Sequence, residues 1–128
     1  MAKNDERRRL IADAGLTVLA LQGARGLTHR AVDQAANVPT GTTSNYFRSR
    51  DALIEGLVTR IGERLAPSPE DLERRALEQP SPTLFAQYVR DIVRRLSNER
   101  EVTLALFELR LESTRRPEVA AFLGAWQR

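Results

Sequence analysis

The run LTHRAVDQAANVPTGTTSNYF, residues 27–47, constrains the fold of this 128-residue chain more than any other part. Its breakers leave space only for helices of a couple of turns. Thr28 is placed to cap a short helix reaching about Ala35, with Ala31, Val32 and Ala35 on its inner side. The chain must then turn sharply, and Asn37 tolerates positive φ better than any residue except glycine. Val38 follows as a buried plug, and Pro39 pre-sets φ for a second short helix from Pro39 or Thr40 to Tyr46. Gly41, inside that helix, weakens it by up to about 1 kcal/mol relative to alanine, so a packed neighbour or a close approach has to justify it. Helix, tight turn, short helix is the helix-turn-helix arrangement.

The flanks are helical too, and the expected fold class is all-α. Ile11, Ala14, Val18 and Leu21 recur at spacings of three and four, predicting a first helix from Asn4 or Asp5 to Gln22, with Gly23 as its left-handed C′ residue. Ser49 caps a fourth helix to about Leu65 whose buried face is Ile54, Leu57, Val58, Ile61 and Leu65. Ala66-Pro67-Ser68-Pro69 and Gln79-Pro80-Ser81-Pro82 are breakers. A helix with Phe85, Tyr88, Val89, Ile92, Val93 and Leu96 on its apolar side follows the second. A long helix from about Asn98 to Arg115 carries Val102, Ala105, Leu106, Leu109 and Leu111, and Pro117 opens a last one. The expected division falls near the fourth helix, into residues 1–50 and residues 51–128.

Charge is unevenly spread. Residues 1–50 hold eight basic residues against four acidic ones, whereas residues 66–128 hold ten of each sign. A basic module on a neutral body points to a polyanion partner, though a solvated surface of mixed charge accounts for the numbers equally well. The absence of cysteine excludes disulfides, thiolate metal sites and cysteine nucleophiles. The single histidine, His29, excludes a histidine-based metal site or triad. No nucleophile–base pair stands out, so no enzyme and no cofactor are expected. No apolar run is long enough to cross a bilayer and residues 1–10 lack an apolar signal core, so a cytoplasmic protein without membrane contact is expected.

The polar character of residues 40–46 then acquires a chemical reading. A helix lying in a groove about 12 Å wide needs small or polar outward residues. Thr40, Thr42, Thr43, Ser44, Asn45 and Tyr46 supply hydroxyls, an amide and a phenol that suit phosphate oxygens and base edges. Gly41 removes a side chain where such a helix presses on a duplex, and His29 and Arg30 start the preceding helix within reach of a flanking strand. Composition alone favours a solvated loop with capping residues. The order of the residues favours a reading face, because a solvated loop has no need of Asn37, then Pro39, then a polar half-helix, then the aromatic anchor Phe47.

On these residues the chain resembles the TetR family of transcriptional repressors. The resemblance runs from residue 7 to about 58 and rests on Gly23 to Gly26, Leu27-Thr28, Val32, Ala36-Asn37-Val38-Pro39, Gly41-Thr42-Thr43-Ser44 and Tyr46-Phe47 through Ala52-Leu53. Residues 102–119 are similar, more weakly, to the regulatory domain of actinobacterial-type members. The chain departs from the family at Ser44, where a tyrosine is usual, at Tyr46, where a histidine is usual, and at Asn37, where a glycine is usual. The resemblance implies a three-helix DNA-binding module at residues 1–50 and a helical ligand-binding and dimerisation domain at residues 51–128. It implies that Thr28, His29 and Arg30 touch the DNA backbone, that Thr40, Thr42, Ser44 and Asn45 face the groove, that Tyr46 holds a phosphate, and that Arg50 replaces a phosphate-binding lysine. It also implies a homodimer on a palindromic operator, released by a small-molecule effector. Family members usually continue past residue 128, so the second domain is expected to be incomplete.

Phe85, Tyr88, Phe107 and Trp126 are the candidates for an effector pocket, with ordinary core packing as the alternative. Glu108 and Glu112, one turn apart, are expected to pair with arginines rather than bind a ligand. Arg7-Arg8-Arg9 reads equally as a phosphate-tracking arm or a solubilising run. The competing reading of the whole chain is a helical protein-interaction module that no longer binds DNA.

Overall fold

Hydroxyl side chains placed just ahead of apolar runs start four of the helices. In the computed structural model, which describes the backbone of residues 2–127 and the side chains of residues 4–124, eight helices follow one another and no strand occurs among the described residues. They are α1 (Ala2–Gly26), α2 (His29–Ala36), α3 (Thr42–Tyr46), α4 (Arg50–Leu65), α5 (Pro69–Ala76), α6 (Pro82–Asn98), α7 (Arg100–Ser113) and α8 (Pro117–Gln127). Thr28, Ser49, Ser68 and Ser81 cap α2, α4, α5 and α6, each accepting a backbone N–H three residues on at 3.0–3.1 Å. Asn37 ends α2 at φ 57°, ψ 47°, the left-handed conformation its short amide side chain tolerates.

α1 is the central element. It packs against α2 and α4 and, farther along, α7, burying Ile11, Ala12, Leu16, Val18 and Leu19. The expected stripe through Ile11, Ala14, Val18 and Leu21 is therefore off centre: Ala14 is half-buried and Leu21 is 73% exposed. The middle of the buried arc is Gly15, where an added Cβ would lie 2.7 Å from Leu57 Cδ2 of α4. A stripe drawn through large side chains misses a contact whose requirement is the absence of one. The helix also outruns Gln22, because Gly23 does not act as a left-handed C′ residue. Its φ of 73° with ψ of −178° kinks the helix in a region open essentially only to glycine, and a further turn to Gly26 follows.

One apolar cluster runs through both halves of the chain. Leu27, Val32 and Phe47 join Leu53, Ile54, Leu57, Val58 and Ile61 of α4, which in turn meet Val102, Ala105, Leu106 and Leu109 of α7 and Val119 and Leu123 of α8. Polar ties run beside it. Asp13 of α1 accepts from Arg60 Nε at 2.7 Å and Arg64 Nη1 at 3.3 Å, and Arg64 Nη2 donates to Glu99 at 2.5 Å, in the single-residue joint between α6 and α7. The hydrogen bond to Asp13 outweighs burial and holds the Arg60 guanidinium above its ordinary pKa. At the other end of α4, Arg116 bonds Asp51 at 2.8 Å and so ties the α7–α8 turn to the start of that helix.

Elsewhere the apolar pattern exceeds what is buried. Neither α5 nor α6 contains a buried residue; Phe85 is 70% exposed, and Val89, Ile92 and Val93 are exposed beside it. Leu111, one of the apolar residues of the long helix, is exposed as well. Ala35 is exposed and Val38 only half-buried, so neither is the inward residue expected of it. No described helix is long and apolar enough to cross a membrane.

Candidate nucleic-acid interface

The five-residue α3 has almost no means of holding itself. Its N-cap, Gly41, has no side chain, and stands at φ 97°, where any other residue would be strained. An added Cβ there would meet nothing within 4 Å. Gly41 precedes the helix rather than lying inside it, and its backbone conformation is sufficient reason for glycine. The missing cap comes from α2. Asp33, 3% exposed, accepts the Gly41 N–H at 2.9 Å and the Thr43 N–H at 2.7 Å. A carboxylate at a helix N-terminus satisfies two orphan donors and the positive end of the dipole together. Burial pushes the Asp33 carboxyl up, but Thr43, the two backbone N–H groups and the nearby His29 outweigh it, and the acid is held below its ordinary range. The Thr43 hydroxyl has no partner of good hydrogen-bond geometry, so the backbone donors carry most of that effect.

Three further contacts fix the unit. His29 Nε2 donates to the Phe47 carbonyl at 2.7 Å, joining the start of α2 to the end of α3. Phe47 is buried, and the Arg8 guanidinium lies 4.6 Å from its ring centre. Arg50, in the first turn of α4, donates to the Leu27 carbonyl and to the Ala24 carbonyl at 2.7 Å, filling acceptors left open at the end of α1.

The expected reading residues therefore separate into two groups. Thr28, Arg30, Thr40, Ser44 and Asn45 are exposed, along the outward edge of α2 and α3. Thr43 is fully buried and leaves the face, because its position in α3 points back at Asp33. The Thr42 hydroxyl is spent on the Pro39 carbonyl at 2.7 Å, and Tyr46 is half-buried against the core. His29 and Arg50 are half-buried and committed to backbone carbonyls, so both position the unit instead of standing free. Arg48 and Gln34 were not among the expected residues. Both are exposed, and Gln34 lies one turn after Arg30 on the same side of α2. Neither Arg30 nor Arg48 has an ion-pair partner among the described residues. Asp33 too lies outside the expected set, although its standing as the one acidic residue between positions 14 and 50 of a basic segment is a sequence signal of a specific partner.

Of the aromatic residues proposed for an effector pocket, the three described are not brought together. Phe85 and Phe107 are exposed, and Tyr88 stacks under Arg75 at 4.6 Å. The side chain of Trp126 lies outside the described residues. A cleft of about 430 Å³ opens instead between the end of α4, α6 and α7, walled by Leu65, Pro67, Ile92, Leu96 and Leu106, with Arg95 at its edge. Glu108 and Glu112 line a smaller cleft of about 300 Å³ beside the Gly23 kink, together with Arg25 and Arg115.

Comparison with known proteins fits this architecture. A family model described as tetracyclin repressor-like, C-terminal domain, matches residues 80–128. A solved structure of a TetR-family member from Streptomyces coelicolor A3 superposes with a TM-score of 0.74 at 32% identity, covering 92% of this chain and 69% of that one. The chain belongs to the TetR family. The multidrug binding protein EbrR, solved with malachite green, is also similar to this TetR-family chain: TM-score 0.72, 30% identity, 94% of this chain and 69% of that one. Among curated relatives, the HTH-type transcriptional regulator BetI of Paraburkholderia phymatum is 38% identical over 55 residues, 43% of this chain. BetI of Paraburkholderia xenovorans is 31% identical over 80 residues, 62% of this chain. The chain spans 28% and 41% of the lengths of those two relatives.

Proposed function

We propose that the chain is a sequence-specific DNA-binding transcriptional regulator, with residues 1–50 as its reading module and residues 51–128 as the body that positions that module and receives an effector. The observation that carries this reading is the sorting of side chains around α3. Thr43 and Phe47 are buried and Asp33 clamps the helix, while Thr40, Ser44 and Asn45 face solvent and unpaired Arg30 and Arg48 flank them. Hydroxyls and an amide on a rigid short helix suit base edges and phosphate oxygens, and the arginines supply the phosphate contacts that set affinity. Two copies related by a two-fold axis meet successive major grooves about 34 Å apart, which requires a palindromic operator. The likeness to the transcriptional regulator BetI supports a regulator, and the EbrR structures with ethidium and malachite green support a small-molecule ligand for it, which in this reading releases the DNA. The apolar cleft at α4, α6 and α7 is where this molecule enters. It adjoins Leu65, immediately after the Arg64 that ties α1 to the α6–α7 joint, so an occupant favouring one setting of α4 shifts the reading modules.

Selection of duplexes from a random pool tests the reading. The recovered sites should be two-fold symmetric, and affinity should fall steeply as salt rises. Arg30→Gln and Arg48→Gln should each weaken binding to all sequences and reduce the salt slope by about 1, whereas Asn45→Ala should relax discrimination at one position by about 1–3 kcal/mol. A pool that yields no enriched site, or binding indifferent to Arg30→Glu with Arg48→Glu, would overturn it.

A further inference from the structure

The cleft between α4, α6 and α7 carries a single ionisable side chain. Leu65, Ile92, Leu96 and Leu106 form its apolar wall, and among the described residues no carboxylate lines it. Arg95 is half-buried at its edge and has no ion-pair partner among the described residues. The acids four positions to either side, Asp91 on α6 and Glu99 in the α6–α7 joint, are engaged elsewhere. Asp91 faces Arg75 at 3.3 Å and Arg94 at 3.7 Å, and Glu99 is bonded by Arg64 at 2.5 Å. A cationic ligand entering this cleft meets a like charge and finds no free counter-charge, whereas a carboxylate meets the planar fork that binds it through two hydrogen bonds. A volume of about 430 Å³ lies within the usual range for small-molecule sites.

We infer that this cleft selects an apolar anion, a carboxylate-headed amphiphile whose chain lies along Leu65, Ile92 and Leu106 and whose head pairs with Arg95. The inference rests on the reading of this cleft as the effector site and adds the class of ligand to it.

Three probes with the same tail and different heads decide the matter: decanoate, decanol and decyltrimethylammonium, titrated calorimetrically into the full chain at neutral pH, the two ions below their micelle-forming concentrations and decanol below its solubility limit. Decanoate should bind at least about tenfold more tightly than decanol, with the cation weakest. Arg95→Gln should erase the preference for decanoate over decanol and leave decanol binding unchanged, and an unchanged thermal melt of the variant shows that its fold is intact. Decanol or the cation matching decanoate would overturn the anion inference and leave the cleft as an effector site. A preference that survives Arg95→Gln would overturn the role of Arg95 and the inference with it. If no probe binds, both the inference and the assignment of the cleft fall, while the outcome of the duplex selection stands apart.

Discussion

The α2–α3 pair and the α5–α6 pair hold themselves in opposite ways. α2 and α3 have only 8 and 5 residues, too short for helices of this length to persist alone, yet Val32, Asp33, Thr43 and the adjoining Leu27 and Phe47 are all buried. Asp33, His29 and Arg50 lash these segments together through backbone atoms. α6 is 17 residues long and strongly amphipathic, yet buries none of them, and α5 meets it chiefly through Arg75. Length and pattern therefore do not decide which helix is fixed. What decides is whether side chains from another element reach its polar backbone ends and its apolar face, and between these two pairs those contacts are concentrated on α2 and α3.

The largest effect that would sharpen this contrast is expected at Asp33. Asp33→Ala leaves the Gly41 and Thr43 N–H groups without their acceptor, and should cost about 2–4 kcal/mol in urea unfolding. Asp33→Asn, which keeps one acceptor oxygen, should cost less. Because the folded-state pKa of Asp33 lies below its ordinary value, its contribution is complete above roughly pH 5 and disappears as pH falls through the folded-state value. Wild type should lose that increment as pH falls from about 5 towards the acid limit, and Asp33→Asn should not. A loss of stability that is the same for both proteins across this window would show that α3 is held by something other than this clamp.

A smaller effect is expected at Arg50. Arg50→Gln frees the Ala24 and Leu27 carbonyls, which should cost about 1–2 kcal/mol. Its effect on the salt slope of DNA binding separates positioning from phosphate contact. A slope unchanged from wild type fits an arginine committed to the backbone, and a slope reduced by about 1 would restore it to the reading face. The smallest effect belongs to α6. Phe85→Ser and Val93→Ser should each change stability by no more than about 0.5 kcal/mol, since neither side chain is buried. A cost several times larger would mean that this face is covered in solution and would remove the contrast.

Much of this organisation is legible residue by residue. Thr28 and Ser49 read correctly as N-caps, and Asn37 as the left-handed turn, because each feature is settled by hydrogen bonds within about four positions of the chain. The face of α4 reads correctly from its spacing, with Leu53 added and Leu65 only partly covered. The outward set of Arg30, Thr40, Ser44 and Asn45 was visible as a polar run, but the inward turn of Thr43 was not. At a five-residue helix the apolar period is too short to fix which side faces in, and Thr43 has the same chemistry as its neighbours.

The amino-acid sequence alone determined an all-helical chain, the caps that start several of its helices, and a basic, hydroxylated segment between α1 and α4. These follow from φ preferences, capping and charge, all properties of residues close together along the chain. Only the tertiary structure decided that Asp33 caps a helix ten positions away, that Gly15 marks the centre of the α1–α4 contact, and that His29 and Arg50 serve the backbone. Those pairings exist only once α1, α2 and α4 have closed on one core, because their donors and acceptors are matched by packing and not by spacing.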